Sequence, residues 1–419
     1  MRSSQLSMNK ITSPVKVGLF LPNDSPTAGG VFSYQQTIFT EVLKRIKNPV
    51  NPDIQYVIIS FDSRHTRNWG LTDADVLNVN HPTATEKIQQ TAHYFLVRLI
   101  SPWRKTQWNR RIYENKITQH FKGKVDLVWF LGPYIYTDQL PFIVPIWDLQ
   151  HRLQPFFSEV SKSGEWEARQ NYYSNISMKA FINLVGTNRG AKELNQFFGV
   201  DHERIVVNPF PCPPPVGIKD SLTQENLNKY GIKAGQYLFY PAQFWSHKNH
   251  LGLLHAFNHL VRSGSELQLV LTGSDKGIFN EIQSLISDLK LENSVFNLGF
   301  VSRELIGSLY SNAFALVYPS FFGPDNIPPL EAMSYGTPAI VADVRGSIEQ
   351  YGDAVLRFNP NKPMEIAECV EQLSKNPGLR NNLIHLGFEL IKNLSPSKYV
   401  NRVEHEISRQ MIALKCANL

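Results

Sequence analysis

The chain has 419 residues, of which 42% are hydrophobic and 19% are charged, with a formal net charge of +6 and three cysteines. This composition excludes a disordered or collagen-like chain, and three widely spaced cysteines match neither a disulfide framework nor a metal-binding spacing. A reducing compartment is therefore the simpler expectation. The length exceeds one ordinary hydrophobic core, so two domains of roughly 200 residues each are expected.

Short apolar runs alternate with amphipathic segments through the first half of the chain. Continuous apolar runs that end in turn residues are typical of buried parallel strands. The predicted strands are residues 15–22, 54–60, 75–80, 125–132, 142–150, 184–188 and 204–210. The segments between them show helical periodicity, most clearly at 165–183 and 189–199.

A proline-rich stretch, PCPPPVG at 211–217, interrupts this alternation. It can continue neither a helix nor a sheet, so it predicts a stiff linker between domains. Beyond it we predict strands at 236–242, 267–273, 295–300, 315–320, 338–344 and 354–360. Helices are predicted to start at 249, 276, 302, 328 and 363.

Regular alternation of strands and helices predicts two doubly wound parallel α/β domains that face each other across a cleft. The predicted boundaries are 1–212 for the first domain and 213–395 for the second. Residues 396–419 should form a terminal helix that packs back across the boundary. Ligands of such sheets bind at the carboxyl ends of the strands, which here line the cleft.

The positive charge is concentrated in residues 81–124, where nine Lys or Arg face two acids and six aromatic residues are interleaved. This pattern favours an anionic membrane surface, and no nucleic-acid motif accompanies it. The alternative is a solvated helical face with its aromatics in the core. The apolar stretch 125–147 contains two acids and three prolines, and the first 14 residues lack an apolar core, so neither a transmembrane helix nor a signal peptide is expected.

Four places at predicted strand ends carry candidate functional residues. Gly29 and Gly30 precede a helix whose free amides suit a phosphate, although a plain turn would look the same. Lys248 precedes another helix and is placed to reach a diphosphate, although most exposed lysines have no specific role. Asp148 and His151 follow a first-domain strand and are placed to orient an acceptor hydroxyl, although a lone histidine is more often structural.

The fourth place is the loop FFGPDNI, followed by two prolines and Glu331. Proline suits the first helical position, so Glu331 should project from the first turn of a helix that ends at Gly336. There its carboxylate could accept bonds from paired hydroxyls such as a ribose diol. The structural alternative is an acid that only complements the helix macrodipole.

Together, these segments resemble the retaining, nucleotide-sugar-dependent glycosyltransferases of family 4, which have the two-domain GT-B fold. The resemblance is strongest from 236 to 344 and rests on four ordered motifs. They are VGTNRGAKELNQFFGVDHERIVVNPF, YPAQFWSHKN, VFNLGFVSRELIGSLYSNA and PSFFGPDNIPPLEAMSYGTPAIVADV.

The resemblance implies roles for single residues. Glu331 matches the second glutamate of the E-x7-E pattern, which binds the donor ribose, and Lys248 matches the lysine that neutralises the diphosphate. Gly30 matches the loop that closes over the diphosphate, and Phe300 and Val301 match the turn that reads the base. The remaining candidates for donor contact are Gly29, Gln243, Gly273, Gly323, Asn326 and Ile327.

The sequence departs from the family pattern in three places. Gly323 stands where the first glutamate of E-x7-E is expected, and Asp325 or Asn326 are candidates to replace it. Gln243 stands where an arginine is expected. The His-Asp pair after the fifth strand is replaced by Trp147 and Asp148, with His151 one helical turn further on.

The expected activity is transfer of a hexosyl group, mannosyl or similar, from a GDP- or UDP-sugar to a saccharide or lipid-linked saccharide in surface glycan synthesis. No metal or other cofactor is expected, and the location would be cytoplasmic or peripheral on the cytoplasmic membrane. Two alternatives stay open: a nucleotide-sugar isomerase or epimerase on the same scaffold, and an inactive nucleotide-sugar-binding protein.

Overall fold

The computed structural model describes residues 13–22, 29–61, 66, 69–72, 75–79, 120–132, 135–215 and 227–417. Its first sheet has seven parallel strands in the order β3-β2-β1-β4-β5-β6-β7. They are β1 (Val15–Phe20), β2 (Ile54–Ser60), β3 (Val76–Asn78), β4 (Leu127–Trp129), β5 (Phe142–Pro145), β6 (Ile182–Val185) and β7 (Ile205–Val207). The strand order reverses between β1 and β4, which makes their carboxyl ends a topological switch point.

The second sheet has six parallel strands in the order β10-β9-β8-β11-β12-β13. They are β8 (Tyr237–Pro241), β9 (Gln268–Thr272), β10 (Val295–Asn297), β11 (Ala315–Tyr318), β12 (Ala339–Ala342) and β13 (Val355–Phe358). This is the strand order of a dinucleotide-binding fold, with its switch point between β8 and β11. Every residue of β9, β11 and β12 is buried, as expected for parallel strands covered on both faces.

Helices cover both sheets. In the first domain they are α1 (Gly30–Lys47), α2 (Gln150–Leu153), α3 (Glu165–Lys179) and α4 (Asn188–Phe198). In the second they are α5 (His250–Arg262), α6 (Phe279–Asp288), α7 (Arg303–Ser311), α8 (Ile327–Ser334), α9 (Ser347–Tyr351), α10 (Met364–Lys375) and α11 (Pro377–Asn393). Two helices end the described chain, α12 (Pro396–Arg409) and α13 (Met411–Ala417).

Helix α12 packs against α1 of the first domain rather than against the second sheet. Arg45 of α1 donates to the carboxylate of Glu404 at 2.9 Å and to the side-chain oxygen of Asn401 at 2.8 Å, and both members of the ion pair are buried. The hydroxyls of Tyr34 and Tyr399 lie 2.7 Å apart. The last long helix is therefore part of the first domain's core.

Several predicted element bounds were wrong. The helix expected from 363 is two helices, because Pro377 cannot continue α10 and Asn376 instead caps α11 with its side chain. The strand expected at 184–188 begins at Ile182, and the helix expected from 276 begins at Phe279. Of the basic stretch 81–124, residues 81–119 lie outside the described residues. Within the described part of the chain, no helix is both long and apolar enough to cross a membrane.

Candidate functional site

A cleft with two adjoining chambers runs between the carboxyl ends of the two sheets. The smaller chamber has a volume of about 200 Å³, and second-domain residues form most of its wall. The larger, of about 780 Å³, is lined by both domains. The two chambers meet at residues that line both of them, among them Gly29, Gly30, Gln243 and Ile327.

Strand-end loops of the second sheet line the smaller chamber with Gly273, Phe300 and Val301. Gly273 has a φ of 148°, and a β-carbon there would lie 2.3 Å from the carbonyl oxygen of Ala242. Only glycine fits this close approach of two backbones. The ring of Phe300 is 56% exposed, so it is free to cover a planar ligand at the chamber mouth.

Glu331 lines the same chamber from α8, but the prediction that it lies in the first turn was wrong. The helix begins at Ile327, one residue before the prolines, so Glu331 is in the second turn, where it cannot cap the helix. Its carboxylate accepts a hydrogen bond from the Tyr310 hydroxyl at 2.6 Å, and burial raises its pKa. The helix stops as predicted at Gly336, which has a φ of 72°.

The loop before α8 cannot carry the glutamate that the family pattern places at Gly323. A β-carbon on Gly323 would lie 2.5 Å from a methyl group of Val344, and its carbonyl accepts a hydrogen bond from the side chain of Gln150 at 2.7 Å. Asn326 holds the same loop together through a bond to the Phe322 carbonyl at 2.8 Å. Glycine at this position therefore follows from local packing.

Asp325 occupies the left-handed region at φ 74° and accepts a hydrogen bond from the amide of Gly186 in the first domain. A side chain at Gly186 would overlap its carboxyl group. Burial, together with the nearby charge of Glu349, raises the pKa of Asp325 to about 8. Asp325 lines the larger chamber as a largely protonated acid at neutral pH, so it can donate as well as accept a hydrogen bond.

Lys248 lines the larger chamber from the turn Ser246–Lys248 that follows β8. Its ammonium group donates to the Tyr318 hydroxyl at 2.8 Å and lies 5.1 Å from the centre of that ring. The side-chain oxygen of Gln243 accepts from the Trp245 indole at 3.0 Å. An ammonium group thus lines the larger chamber, with no carboxylate bonded to it among the described residues.

Gly29 and Gly30 of the first domain line the larger chamber together with Lys248. Gly29 has a φ of 67°, and α1 begins at Gly30 without a side-chain cap. The first amides of α1 have no side-chain cap, and the turn lines both chambers, so an anion in the cleft can bind to them.

Asp148 lines the larger chamber but is paired with Arg169 of α3 at 2.9 Å. Arg169 also contacts Glu165 at 3.0 Å. Sequence reasoning predicted this helix but did not place any of its residues at the cleft. One face of α3 lines the chamber at the spacing i, i+3, i+4, i+7, with Glu165, Ala168, Arg169 and Tyr172. In the sequence, the four-residue spacing of Glu165 and Arg169 was the available signal that these two side chains share a helix face.

The prediction that His151 faces the cleft was wrong. Its side chain is fully buried and stacks on Tyr173 and Phe198, with ring centres 5.5 and 6.3 Å away. Burial, with a contribution from the positive charge of Arg169, lowers its pKa to about 4, so the ring is neutral at pH 7. It lies behind Asp148 and packs the wall of the cleft.

Among the described residues, no group of three His, Cys, Asp or Glu side chains is arranged to hold a metal ion. Cys212 and Cys369 are free and buried, and burial raises both thiol pKa values. Neither thiol is placed to act at the cleft.

Residues 223–389 match the family model described as glycosyl transferases group 1. A stretch of 182 residues is 30% identical to the O-antigen chain mannosyltransferase RfbU of Salmonella typhimurium, and it covers 43% of this chain and 47% of that protein. The O-antigen chain mannosyltransferase B of Escherichia coli is 28% identical over 207 residues, which cover 48% of this chain and 54% of that protein. The alignments thus span about half the length of these relatives.

The structure is also similar to that of HepE from Anabaena, solved in complex with UDP and glucose. The TM-score is 0.68 at 14% identity, and the match covers 94% of this chain and 100% of that one. Because this match includes both domains, it confirms the predicted GT-B fold.

Proposed function

We propose that this chain, whose second domain matches the group 1 glycosyltransferases, is a retaining glycosyltransferase. It would transfer a hexosyl group from a GDP- or UDP-sugar to a saccharide or lipid-linked saccharide acceptor. The observation that carries the proposal is the order of groups along one cleft. Glu331 lies in the smaller chamber, the amides of α1 lie at the junction, and Lys248 follows in the larger chamber.

This order fits the parts of a nucleotide sugar. The base would lie against Phe300 and Val301, and the ribose diol would donate to Glu331. The diphosphate would lie between Lys248 and the α1 amides, and the sugar would enter the larger chamber. Mannosyltransferase activity in RfbU and in mannosyltransferase B supports a mannosyl or similar hexosyl group.

A lysine side chain and backbone amides of this chain are suited to stabilise a diphosphate as it leaves the sugar. Lys248 and the α1 amides would stabilise the negative charge that develops as the glycosidic bond breaks. The transition state would resemble an oxocarbenium ion, and the donor phosphate itself would accept the acceptor proton on the same face. Asp148, held by Arg169, would orient the attacking hydroxyl. This proposal requires no metal ion.

The face of α3 in the larger chamber would receive the acceptor. Tyr172 and Trp147 offer flat apolar surfaces, and Glu165, Asp148 and Arg169 offer hydrogen bonds, with a formal charge of −1 for these three ionised side chains. Such a surface favours an uncharged sugar at the reacting end over an acidic one. A growing surface polysaccharide, free or lipid-linked, fits this description.

Thermal unfolding with GDP, UDP, ADP and their sugar conjugates tests the proposal. A ligand present at about 100 times its dissociation constant should stabilise the protein by about 2.7 kcal/mol. The shift should be selective for one base and reduced in Glu331→Ala, but unchanged in the exposed control Glu281→Ala. In a transfer assay, Lys248→Ala should cost roughly 2–4 kcal/mol of transition-state stabilisation. No shift with any nucleotide would overturn the proposed function.

A further inference from the structure

A carboxylate of the first domain reaches the turn that carries Lys248. The short helix Ser158–Val160 places Glu159 against His247 of the second domain. One carboxylate oxygen of Glu159 accepts two hydrogen bonds, from the backbone amide of His247 at 2.9 Å and from its Nδ1 at 2.6 Å. The side chains of both residues are about nine-tenths buried or more, with 6% and 11% exposed.

The protonation states of the two groups suit this arrangement. Burial lowers the pKa of His247 to about 4 despite its bond to Glu159, so the ring is neutral and carries its proton on Nδ1. Burial alone would raise the pKa of Glu159, but the bonds from His247 outweigh it and lower that pKa to about 2. The pair is therefore a carboxylate bonded to a neutral imidazole throughout the physiological range.

The orientation of His247 is fixed on its other sides as well. Its ring stacks on Phe322 with centres 3.9 Å apart and planes 9° apart, and its carbonyl accepts from the Phe321 amide at 2.8 Å. Lys248 is the next residue, and its own carbonyl accepts from the Tyr240 hydroxyl at 2.7 Å. The turn is thus held by second-domain groups from behind and by Glu159 across the domain boundary.

Other bonds across the boundary attach to different loops. Gln154 donates to the Phe321 carbonyl at 2.8 Å, and Glu349 accepts from the amides of Asn188 and Arg189 at the start of α4. These bonds join the domains without touching the turn before α5. Glu159 differs because it bonds the backbone of the residue next to Lys248.

We propose that Glu159 is a positioning residue: when the domains meet, it sets the turn that presents Lys248 to the donor diphosphate. The inference rests on the proposed function, because it takes Lys248 as the group that binds the diphosphate. It extends that function by making diphosphate binding depend on a contact from the opposite domain. Nucleoside binding, which uses the smaller chamber, does not depend on Glu159.

Calorimetric titration of the full chain with UDP, uridine, GDP and guanosine tests this inference. Glu159→Ala should weaken binding of the preferred diphosphate by about tenfold and leave its nucleoside unchanged. Glu159→Gln should restore diphosphate binding, because its amide oxygen can accept both bonds. Glu167→Ala, an exposed acid on α3, is the matched control. In a Lys248→Ala background, Glu159→Ala should add no further loss.

Each other outcome is informative. Equal loss of nucleoside and diphosphate binding, or additive losses in the double variant, would overturn the positioning role and leave the proposed function in place. Absence of nucleotide binding in the unaltered chain would overturn the proposed function instead. If Glu159→Ala does not fold, Glu159→Asp keeps the charge but shortens the reach by one methylene, and the same selective loss is expected of it.

Discussion

The carboxylate of Glu331 and the hydroxyl of Tyr310 are joined by a 2.6 Å hydrogen bond between helices α8 and α7. Tyr310 is itself buried, so the bond holds the carboxylate in one orientation without a ligand. In the proposed function, the second carboxylate oxygen accepts hydrogen bonds from the paired hydroxyls of the ribose. A group that is oriented in advance loses little conformational freedom on binding, which raises affinity.

Tyr310→Phe should therefore weaken nucleotide binding although the hydroxyl is not proposed to touch the ligand. Loss of a bond to a charged group costs about 1.5–3 kcal/mol. It should also raise the pKa of Glu331 further, so the loss of binding should grow as the pH is lowered. Titration at a series of pH values measures this, with the exposed Tyr230→Phe as control. Unchanged affinity would contradict the proposed role of the bond.

His151→Phe should retain sugar transfer, because His151 packs the wall and does not face the cleft. Its folded-state pKa of about 4 lies below the usual 6.5, so it contributes stability above pH 6.5 that is lost as the pH falls towards 4. The variant should therefore lose less stability on acidification. As contrast, Asp148→Asn should lower turnover by about 100-fold. A similar loss of turnover in His151→Phe would show that the His151 side chain takes part in sugar transfer.

Asp325→Asn should become more stable relative to the unaltered chain as the pH rises from 5 to 8. The folded-state pKa of about 8 lies above the unfolded value of 3.8, so the acid contributes stability at low pH that is lost as the pH rises through 8. Asparagine resembles the protonated acid at every pH. Thermal unfolding at both pH values measures the difference, with the exposed Asp288→Asn as control. A pH-independent difference would show that the carboxyl is not buried as described.

Glu404→Ala should destabilise the chain by about 3 kcal/mol, because it leaves the buried guanidinium of Arg45 without its closest carboxylate. Glu41 remains 3.3 Å from Arg45, which limits the loss. Urea-induced unfolding measures the effect. Glu389→Ala, which breaks an exposed pair with Lys392, should change little. Equal effects of the two variants would show that α12 does not stabilise the first domain.

Replacing Arg104, Lys105, Arg110 and Arg111 together should release the protein from anionic vesicles, since each basic residue near such a surface contributes about 1 kcal/mol. These residues lie outside the described part of the chain, so this prediction rests on sequence alone. Co-sedimentation with phosphatidylglycerol vesicles measures it. The control replaces four second-domain lysines, Lys229, Lys290, Lys375 and Lys392. Unchanged sedimentation of the first variant would remove the membrane hypothesis.

Both sheets could be predicted because most of their strands are buried on both faces and so appear as apolar runs. Lys248 could be found because it lies between a predicted strand and a predicted helix, and Glu331 because glycine and proline mark the loop in front of it. The orientation of the His151 side chain could not be predicted. Helix α2 has only four residues, so its packing against α3 decides whether this side chain faces the cleft or the core. Glu159 and His247 are 88 residues apart, and neither segment carries a local signal for the other.

The packing of α12 on α1 also has a consequence for synthesis on the ribosome. Domains generally begin to fold as they emerge, starting from the amino terminus. Here, however, Tyr34 and Arg45 obtain their partners Tyr399, Asn401 and Glu404 only after the whole second domain has been translated. In the nascent first domain, this face of α1 therefore stays uncovered until α12 has been translated.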